Sequence, residues 1–115
     1  MLPRAHRLTE SSQFALAVRK GRRAGGPTLV MHVEARESDD PTLVGFVVSK
    51  AVGNAVTRNR VKRRLRAIAA LRLERIPAGL VVVIRALPPS AAADFGALRA
   101  DVDRLLDRLL TPAAA

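Results

Sequence analysis

Residues 49–66 read SKAVGNAVTRNRVKRRLR, and this stretch decides both how the chain folds and what its surface can bind. It is rich in lysine and arginine and contains no acidic residue. A solvated helix usually mixes both signs, because opposite charges four residues apart offset the repulsion along the helix. We therefore expect a helix whose uncompensated charge is matched by a polyanion outside the chain.

The apolar residues of this region predict a helix from about Val56 to Arg75 with one buried face. At about 100° per residue, one face collects the apolar side chains Val61, Leu65, Ile68, Ala69 and Ile76. A basic stripe beside that face consists of Arg58, Lys62 and Arg66, and the far side carries Arg60, Arg63 and Arg64. Arg72 falls on the apolar side, and its guanidinium is expected to extend outward to solvent.

The charge of the whole chain supports a polyanionic partner. The 115 residues carry a formal net charge of +10, and two segments, 1–23 and 50–75, account for the entire excess. Nucleic acid and anionic membrane are the two obvious partners for such a charge. The basic helix lacks the Trp or Phe anchors that a membrane-surface helix needs opposite its charges, which favours nucleic acid.

The composition also limits the compartment and the chemistry. The chain has no cysteine, which excludes disulfides and thiolate chemistry and fits a reducing cytoplasm. Its N-terminus has no apolar run typical of a signal peptide. The longest apolar run, LVVVI at 80–84, is too short to cross a bilayer. We expect a soluble, cytoplasmic protein.

The remaining elements predict an α+β fold with one sheet. Alternation of apolar side chains predicts strands at 28–35 and 43–49, expected to be antiparallel neighbours, and LVVVIR at 80–85 predicts a buried strand. Two further helices are expected, one capped by Thr9 and running to about Lys20, the other capped by Ser90.

Catalytic groups are not evident. His32 lies in the middle of a strand, and no second histidine or suitably spaced carboxylate makes it a metal site. A hairpin-like turn is predicted at 37–41, between the first two strands. The acidic side chains in and before it are best explained by turn formation and solubility; they are Glu34, Glu37, Asp39 and Asp40. No glycine-rich phosphate loop follows a strand. The sequence therefore predicts a binding protein with no catalytic residue and no metal site of its own.

Asn59, between two arginines, indicates which nucleic acid is bound. Its amide is a poor partner for phosphate but a good one for a base edge or a ribose hydroxyl, whereas guanidinium suits phosphate. A helix-turn-helix DNA reader is disfavoured because the neighbouring elements are predicted strands. A folded RNA surface is the better prediction.

The run at 49–66 resembles the signature of the protein subunit of bacterial ribonuclease P, S-K-x-x-G-N-A-V-x-R-N-R-x-K-R. Further similarity lies in RLTESSQFALAVRKG at 7–21, LVGFVVSK at 43–50 and VVVIRALP at 81–88. The resemblance implies a two-layer α/β sandwich of the ribosomal protein S5 domain 2-like type, with one mainly antiparallel sheet, three helices and a left-handed βαβ crossover. The length of 115 residues is enough for a single domain over 1–115, and its ends, 1–6 and 111–115, are expected to be flexible.

The same resemblance implies a function. A catalytic RNA subunit removes the 5′ leader of precursor tRNA with Mg²⁺ held through the RNA, and the protein binds the RNAs without a cofactor on its own side chains. The positions similar to the RNA-binding motif are Arg58, Asn59, Arg60, Lys62, Arg63 and Arg66, with Ser49, Lys50 and Asn54 adjacent. The positions similar to the family's leader cleft are Phe14, Val18, His32 and Arg85.

Two of these cleft positions depart from the family. The positions of Val18 and His32 are often aromatic in relatives; Val18 cannot stack on a base, and His32 can do so only weakly. Leader affinity is therefore expected to depend more on charge and on Phe14, whose ring could equally belong to the core. Two other functions stay open: a structural RNA-binding protein of ribosomal type with no part in cleavage, and a nuclease in its own right.

Overall fold

The computed structural model describes residues 2–36 and 38–110, and it contains one sheet and three α-helices. In chain order the elements are α1 (Ser11–Lys20), β1 (Arg22–Gly25), β2 (Leu29–Ala35), β3 (Leu43–Val47), α2 (Ala55–Arg72), β4 (Leu80–Ala86) and α3 (Phe95–Leu110). Short 3-10 helices lie at Arg4–His6, Lys50–Val52, Leu73–Arg75 and Pro88–Ala91. This architecture confirms the predicted α+β class.

The four strands are ordered β1-β2-β4-β3. β2 pairs antiparallel with β1 and with β4, whereas β3 pairs parallel with β4. The prediction that the strands at 28–35 and 43–49 are neighbours was wrong, because β4 lies between them. β4 is an inner strand of the sheet. Its apolar run from Val81 to Ile84 is buried, as expected for a strand that is covered on both faces.

β1 was not predicted. Its residues, RRAG, include two arginines and a glycine, so neither an apolar alternation nor strand propensity marks them. The strand nevertheless forms the sheet edge beside β2, and the turn that follows it is closed by a hydrogen bond of 2.9 Å from Gly26 N to Leu29 O. A hairpin partner for β2 therefore forms in a segment that carries no strand signal in the sequence.

Helices cover both faces of the sheet. Successive side chains of a strand point to opposite faces. Met31 and Val33 pack in the main core with α2 and α3, whereas Val81 and Val83 form a smaller cluster with Ala17 of α1. α1 therefore lies on one face of the sheet, and α2 and α3 lie on the other.

The start of α2 explains part of the motif at 49–66. The Asn54 side chain caps the helix, accepting a hydrogen bond of 2.9 Å from Thr57 N. Gly53 has φ of 153°, and a side chain there would press against Thr57. The glycine and the asparagine therefore set the point at which the basic helix begins, one residue before the predicted start.

The two caps predicted from the sequence, Ser90 and Thr9, were wrong. Ser90 is buried within the 3-10 helix Pro88–Ala91, which ends before α3 begins at Phe95, so Ser90 does not cap α3. Asp94 supplies the cap, because its Oδ1 accepts from Ala97 N at 2.8 Å. In α1 the N-cap is Glu10 rather than Thr9, and the Glu10 carbonyl accepts the first helical hydrogen bonds.

Arg72 does not extend to solvent as predicted. Its guanidinium reaches α3, with Nη1 3.1 Å from Asp103 Oδ1 and Nη2 2.8 Å from Asp107 Oδ1. The side chain is only 13% exposed. The cation on the apolar side of α2 is thus an ion-pair link between two helices rather than part of a binding surface.

The two chain ends were expected to be flexible. Leu2 is fully buried, and the Arg4–His6 turn is held where His6 Nδ1 lies 2.7 Å from Thr42 O. Residues 1 and 111–115 lie outside the described residues. The flexibility of residues 1–6 and 111–115 stays a prediction.

Candidate nucleic-acid interface

A cleft of about 860 Å³ lies between α1 and the sheet. The residues predicted for a leader site, Phe14, Val18, His32 and Arg85, all line it. Phe14 and Val18 come from α1, whereas His32 and Arg85 come from the paired strands β2 and β4, so the fold brings together residues that are far apart in sequence. This space is called the cleft.

Strand register places the polar groups of the cleft floor. His32 lies opposite Arg23 on one side and Val83 on the other, and Arg85 lies opposite Val30 and Val47. His32 is only 6% exposed, and its Nδ1 has no hydrogen-bond partner among the described residues. Burial lowers the pKa of His32 below 6.5, and the charges of Arg23 and Arg85 lower it further.

The ring of Phe14 lies across β3. Residue 45 of β3 is a glycine, which has no side chain. A Cβ at this position would overlap the Phe14 ring and would lie 2.8 Å from Leu8 Cδ2, so only glycine allows α1 to pack this closely on β3. Phe14 packs on the small core cluster and lines the cleft as well. The two explanations left open for Phe14 are therefore compatible, because one side of the ring is packed and another faces the cleft.

Eight further residues line the cleft, and three of them bring a charge or an aromatic ring: Arg19, Phe46 and Lys62. The sequence assigned none of these three to the cleft, although it placed Lys62 in the RNA-binding motif. Arg19 lies one residue after Val18 on α1, and Phe46 lies on β3, the edge strand. Lys62 comes from α2, on the other side of the sheet edge. Its membership could not be predicted, because it depends on β3 being an edge past which a long side chain can reach.

A second groove, of about 460 Å³, runs along the exposed side of α2 and is called the α2 groove. Four of the predicted motif residues line it together with Arg7 and Ala67, namely Asn59, Lys62, Arg63 and Arg66. No acidic residue is among the described residues that line either the cleft or the α2 groove. Both surfaces therefore have an uncompensated positive charge suited to phosphates.

Known proteins share both the sequence and the fold of this chain. A family model described as Ribonuclease P matches residues 2–110. The chain belongs to the ribonuclease P protein family. The ribonuclease P protein component of Streptomyces bikiniensis is 52% identical over 118 residues, which cover 96% of each chain.

Solved ribonuclease P proteins share the fold. That of Thermotoga maritima matches with a TM-score of 0.78 and 26% identity, covering 89% of this chain and 96% of its own. That of Staphylococcus aureus matches with a TM-score of 0.83 and 24% identity, covering 91% and 95%. These matches confirm the family resemblance and favour the role of a ribonuclease P protein component over that of a ribosomal structural protein.

In this ribonuclease P protein, two arginines of α2 also hold the protein itself together. Arg60 Nη2 donates to Ala91 O at 3.0 Å, and Arg64 Nη1 donates to Ala93 O at 3.0 Å. They tie α2 to the segment before α3. Arg60, the second arginine of the motif, therefore has an internal partner that the sequence did not indicate.

The other motif positions differ in their exposure. Ser49, Lys50 and Asn54 are exposed at the entrance to α2, and the Asn54 oxygen is occupied by the helix cap. Arg58 is half-buried, and its Nε has no partner among the described residues. Ser49, Lys50 and Asn54 precede α2, and Arg58 lies in its first turn; none of the four lines the cleft or the α2 groove.

Neither a metal-binding cluster nor a membrane span is found in the described part of the chain. Within residues 2–36 and 38–110, no three histidine or acidic side chains are grouped so that they could hold a metal ion. No helix in these ranges is both long and apolar enough to cross a membrane. The described residues of this ribonuclease P protein thus offer cationic grooves and no metal-binding cluster.

Proposed function

We propose that this ribonuclease P protein binds the catalytic RNA subunit through α2 and the single-stranded 5′ leader of precursor tRNA through the cleft. Together with the RNA it supports Mg²⁺-dependent endonucleolytic removal of the leader in the cytoplasm. The observation that carries the proposal is the convergence of Phe14, Val18, His32 and Arg85 on one cleft beside the basic face of α2.

The chemistry of the cleft suits a single RNA strand. Phe14, Val18 and Phe46 offer apolar surface to bases, and Arg19 and Arg85 offer charge to phosphates. Stacking on an aromatic ring contributes about 1–3 kcal/mol per base and tolerates any sequence. With valine at position 18 and a largely buried histidine at position 32, Phe14 and Phe46 provide most of the aromatic surface, so we expect weak base preference.

The α2 surface suits a folded RNA. Arg63 and Arg66 are exposed and can each meet two phosphate oxygens, and Asn59 beside them can bond a base edge or a ribose hydroxyl. The remaining predicted contacts to the catalytic RNA are Ser49, Lys50, Asn54, Arg58, Arg60 and Lys62. For Arg60 this contact would use the nitrogens that do not bond Ala91.

Chemistry in this proposal belongs to the RNA. Mg²⁺ is held through RNA phosphates, and the protein lowers the repulsion between two polyanions, the catalytic RNA and the precursor tRNA. Lower repulsion raises the affinity for substrate and for Mg²⁺, because the cations of the protein replace condensed counterions. The protein side chains need not contact the scissile bond.

A pair of variants tests the two-surface division. Phe14→Ala should weaken binding of leader-bearing precursor tRNA to the holoenzyme by about 5- to 150-fold, the equivalent of one stacked base, and leave binding of leaderless tRNA unchanged. Arg63→Ala should weaken assembly with the RNA subunit and leave leader discrimination unchanged. Arg108→Ala, an exposed arginine of α3, is the matched control.

Equal effects of Phe14→Ala and Arg63→Ala on both measurements would contradict the division into two surfaces. Circular dichroism and thermal unfolding of each variant separate loss of binding from loss of folding. Phe14→Leu keeps most of the packing volume without the ring, so it distinguishes stacking from packing if Phe14→Ala is poorly folded.

A further inference from the structure

The segment before α1 is fixed against the sheet. The backbone of Arg7 forms an isolated parallel β-bridge with Val44 of β3, and Leu8 N donates to Val44 O at 3.0 Å. Leu2 and Leu8, on either side, are buried. The backbone of Arg7 therefore has a defined position at the free edge of β3, although it lies outside any predicted helix or strand.

The Arg7 side chain is also oriented. Its Nε donates to Leu2 O at 3.0 Å, which uses one donor of the guanidinium and leaves the two terminal nitrogens. Among the described residues these nitrogens have no acceptor, and no acidic side chain lines the grooves that contain Arg7. An arginine held by its Nε presents a fixed pair of donors, which matches the oxygens of a phosphate.

Arg7 lines a third groove, of about 360 Å³, called the connecting groove. This groove shares Phe14, Phe46 and Lys62 with the cleft. It shares Arg7, Lys62 and Arg66 with the α2 groove. Lys62 therefore lines all three spaces, and the connecting groove joins the cleft to the α2 surface around the edge of β3.

We propose that Arg7, with Lys62 and Arg66, forms a phosphate-binding subsite that continues the cleft, so that one RNA strand runs without interruption from the cleft onto α2. The aromatic rings of Phe14 and Phe46 lie at the junction, where a base can stack while its phosphate meets the three cations. This inference rests on the proposed leader site, and it adds the N-terminal segment to the RNA-binding surface.

The physical consequence is a dependence on strand length. A strand confined to the cleft gains nothing from additional nucleotides beyond those that the cleft holds. A strand that continues past Lys62 gains at least one charge-assisted contact at Arg7 once it is long enough. Affinity should therefore rise with length in two steps, and only the second step should need Arg7.

The experiment measures the affinity of the protein for fluorescently labelled single-stranded RNAs of about 4 to 16 nucleotides, the range that single-strand binding sites occupy. Wild type and Arg7→Ala should bind the shortest RNAs equally. Arg7→Ala should bind the longest RNAs about tenfold more weakly, the loss of one charge-assisted contact. Arg7→Lys should recover part of that loss, and Arg4→Ala, a neighbouring exposed arginine, should behave as wild type.

Two results would overturn the proposal. Equal loss at every length, with a lowered melting temperature, would mean that Arg7 only holds the N-terminal segment in place. No loss at any length would mean that a strand bound in the cleft does not continue to Arg7. Cleavage of precursor tRNA by the reconstituted holoenzyme is measured separately, so a failure of the proposed function is distinguished from a failure of this subsite.

Discussion

The salt dependence of RNA binding can be estimated from the charges of the binding surface. Five cations line the cleft and the connecting groove: Arg7, Arg19, Lys62, Arg66 and Arg85. Each phosphate neutralised on a single strand releases counterions and contributes about −0.7 to the slope of log affinity against log salt. A strand that meets all five cations should therefore give a slope of about −3.5, which weakens binding about a hundredfold over roughly a fourfold rise in salt.

The assay is fluorescence anisotropy of a labelled leader oligonucleotide titrated with protein at several salt concentrations. Lys62→Ala should change the slope from about −3.5 to about −2.8, because one counterion-releasing contact is lost. Arg108→Ala, on α3 and outside both grooves, should leave it unchanged. A slope near zero, or an equal slope for wild type and Lys62→Ala, would refute the assignment of these cations to phosphate contacts.

Three further predictions concern the fold that supports the surface. Gly45→Ala would drive a methyl group into the ring of Phe14, so it should lower the free energy of unfolding by about 1–3 kcal/mol in thermal melts. Arg72→Ala removes two contacts to α3 and should cost about 1–2 kcal/mol while leaving the salt slope unchanged. Because the pKa of His32 is lowered in the folded state, the unfolded chain takes up the proton first as pH falls, so stability should decrease below pH 6.5, and His32→Gln should remove that part of the decrease.

Each of these has a contradicting result. An unchanged melting temperature in Gly45→Ala would mean that α1 can shift without cost. A smaller salt slope in Arg72→Ala would mean that the Arg72 guanidinium contacts an RNA phosphate. If His32→Gln and wild type lose stability in parallel between about pH 7 and pH 5, the buried imidazole does not resist protonation.

The sequence was most informative where a periodic pattern and a strong local signal coincide. The apolar face of α2, with Val61, Leu65 and Ile68 all buried, followed from the spacing alone. The four predicted cleft residues also lie together, but their grouping came from the family resemblance. Composition and periodicity could not have paired Phe14 with Arg85, since that proximity depends on the packing of α1 on β4.

Other features depend on tertiary partners that no local pattern encodes. Strand alternation identifies strands but not their neighbours, so β4 was not placed between β2 and β3. Arginines look alike in sequence, although Arg72 pairs with α3, Arg60 bonds a backbone carbonyl and Arg7 lines a groove. These roles differ because each guanidinium meets different atoms in the fold, and only the structure gives those atoms.

The most direct test of the central claim is cleavage of precursor tRNA by the reconstituted components at low Mg²⁺. The account predicts no cleavage by the protein alone, slow cleavage by the ribonuclease P RNA alone, and strong stimulation when both are present. Cleavage by the protein without RNA, or no stimulation of the RNA by the protein, would contradict it.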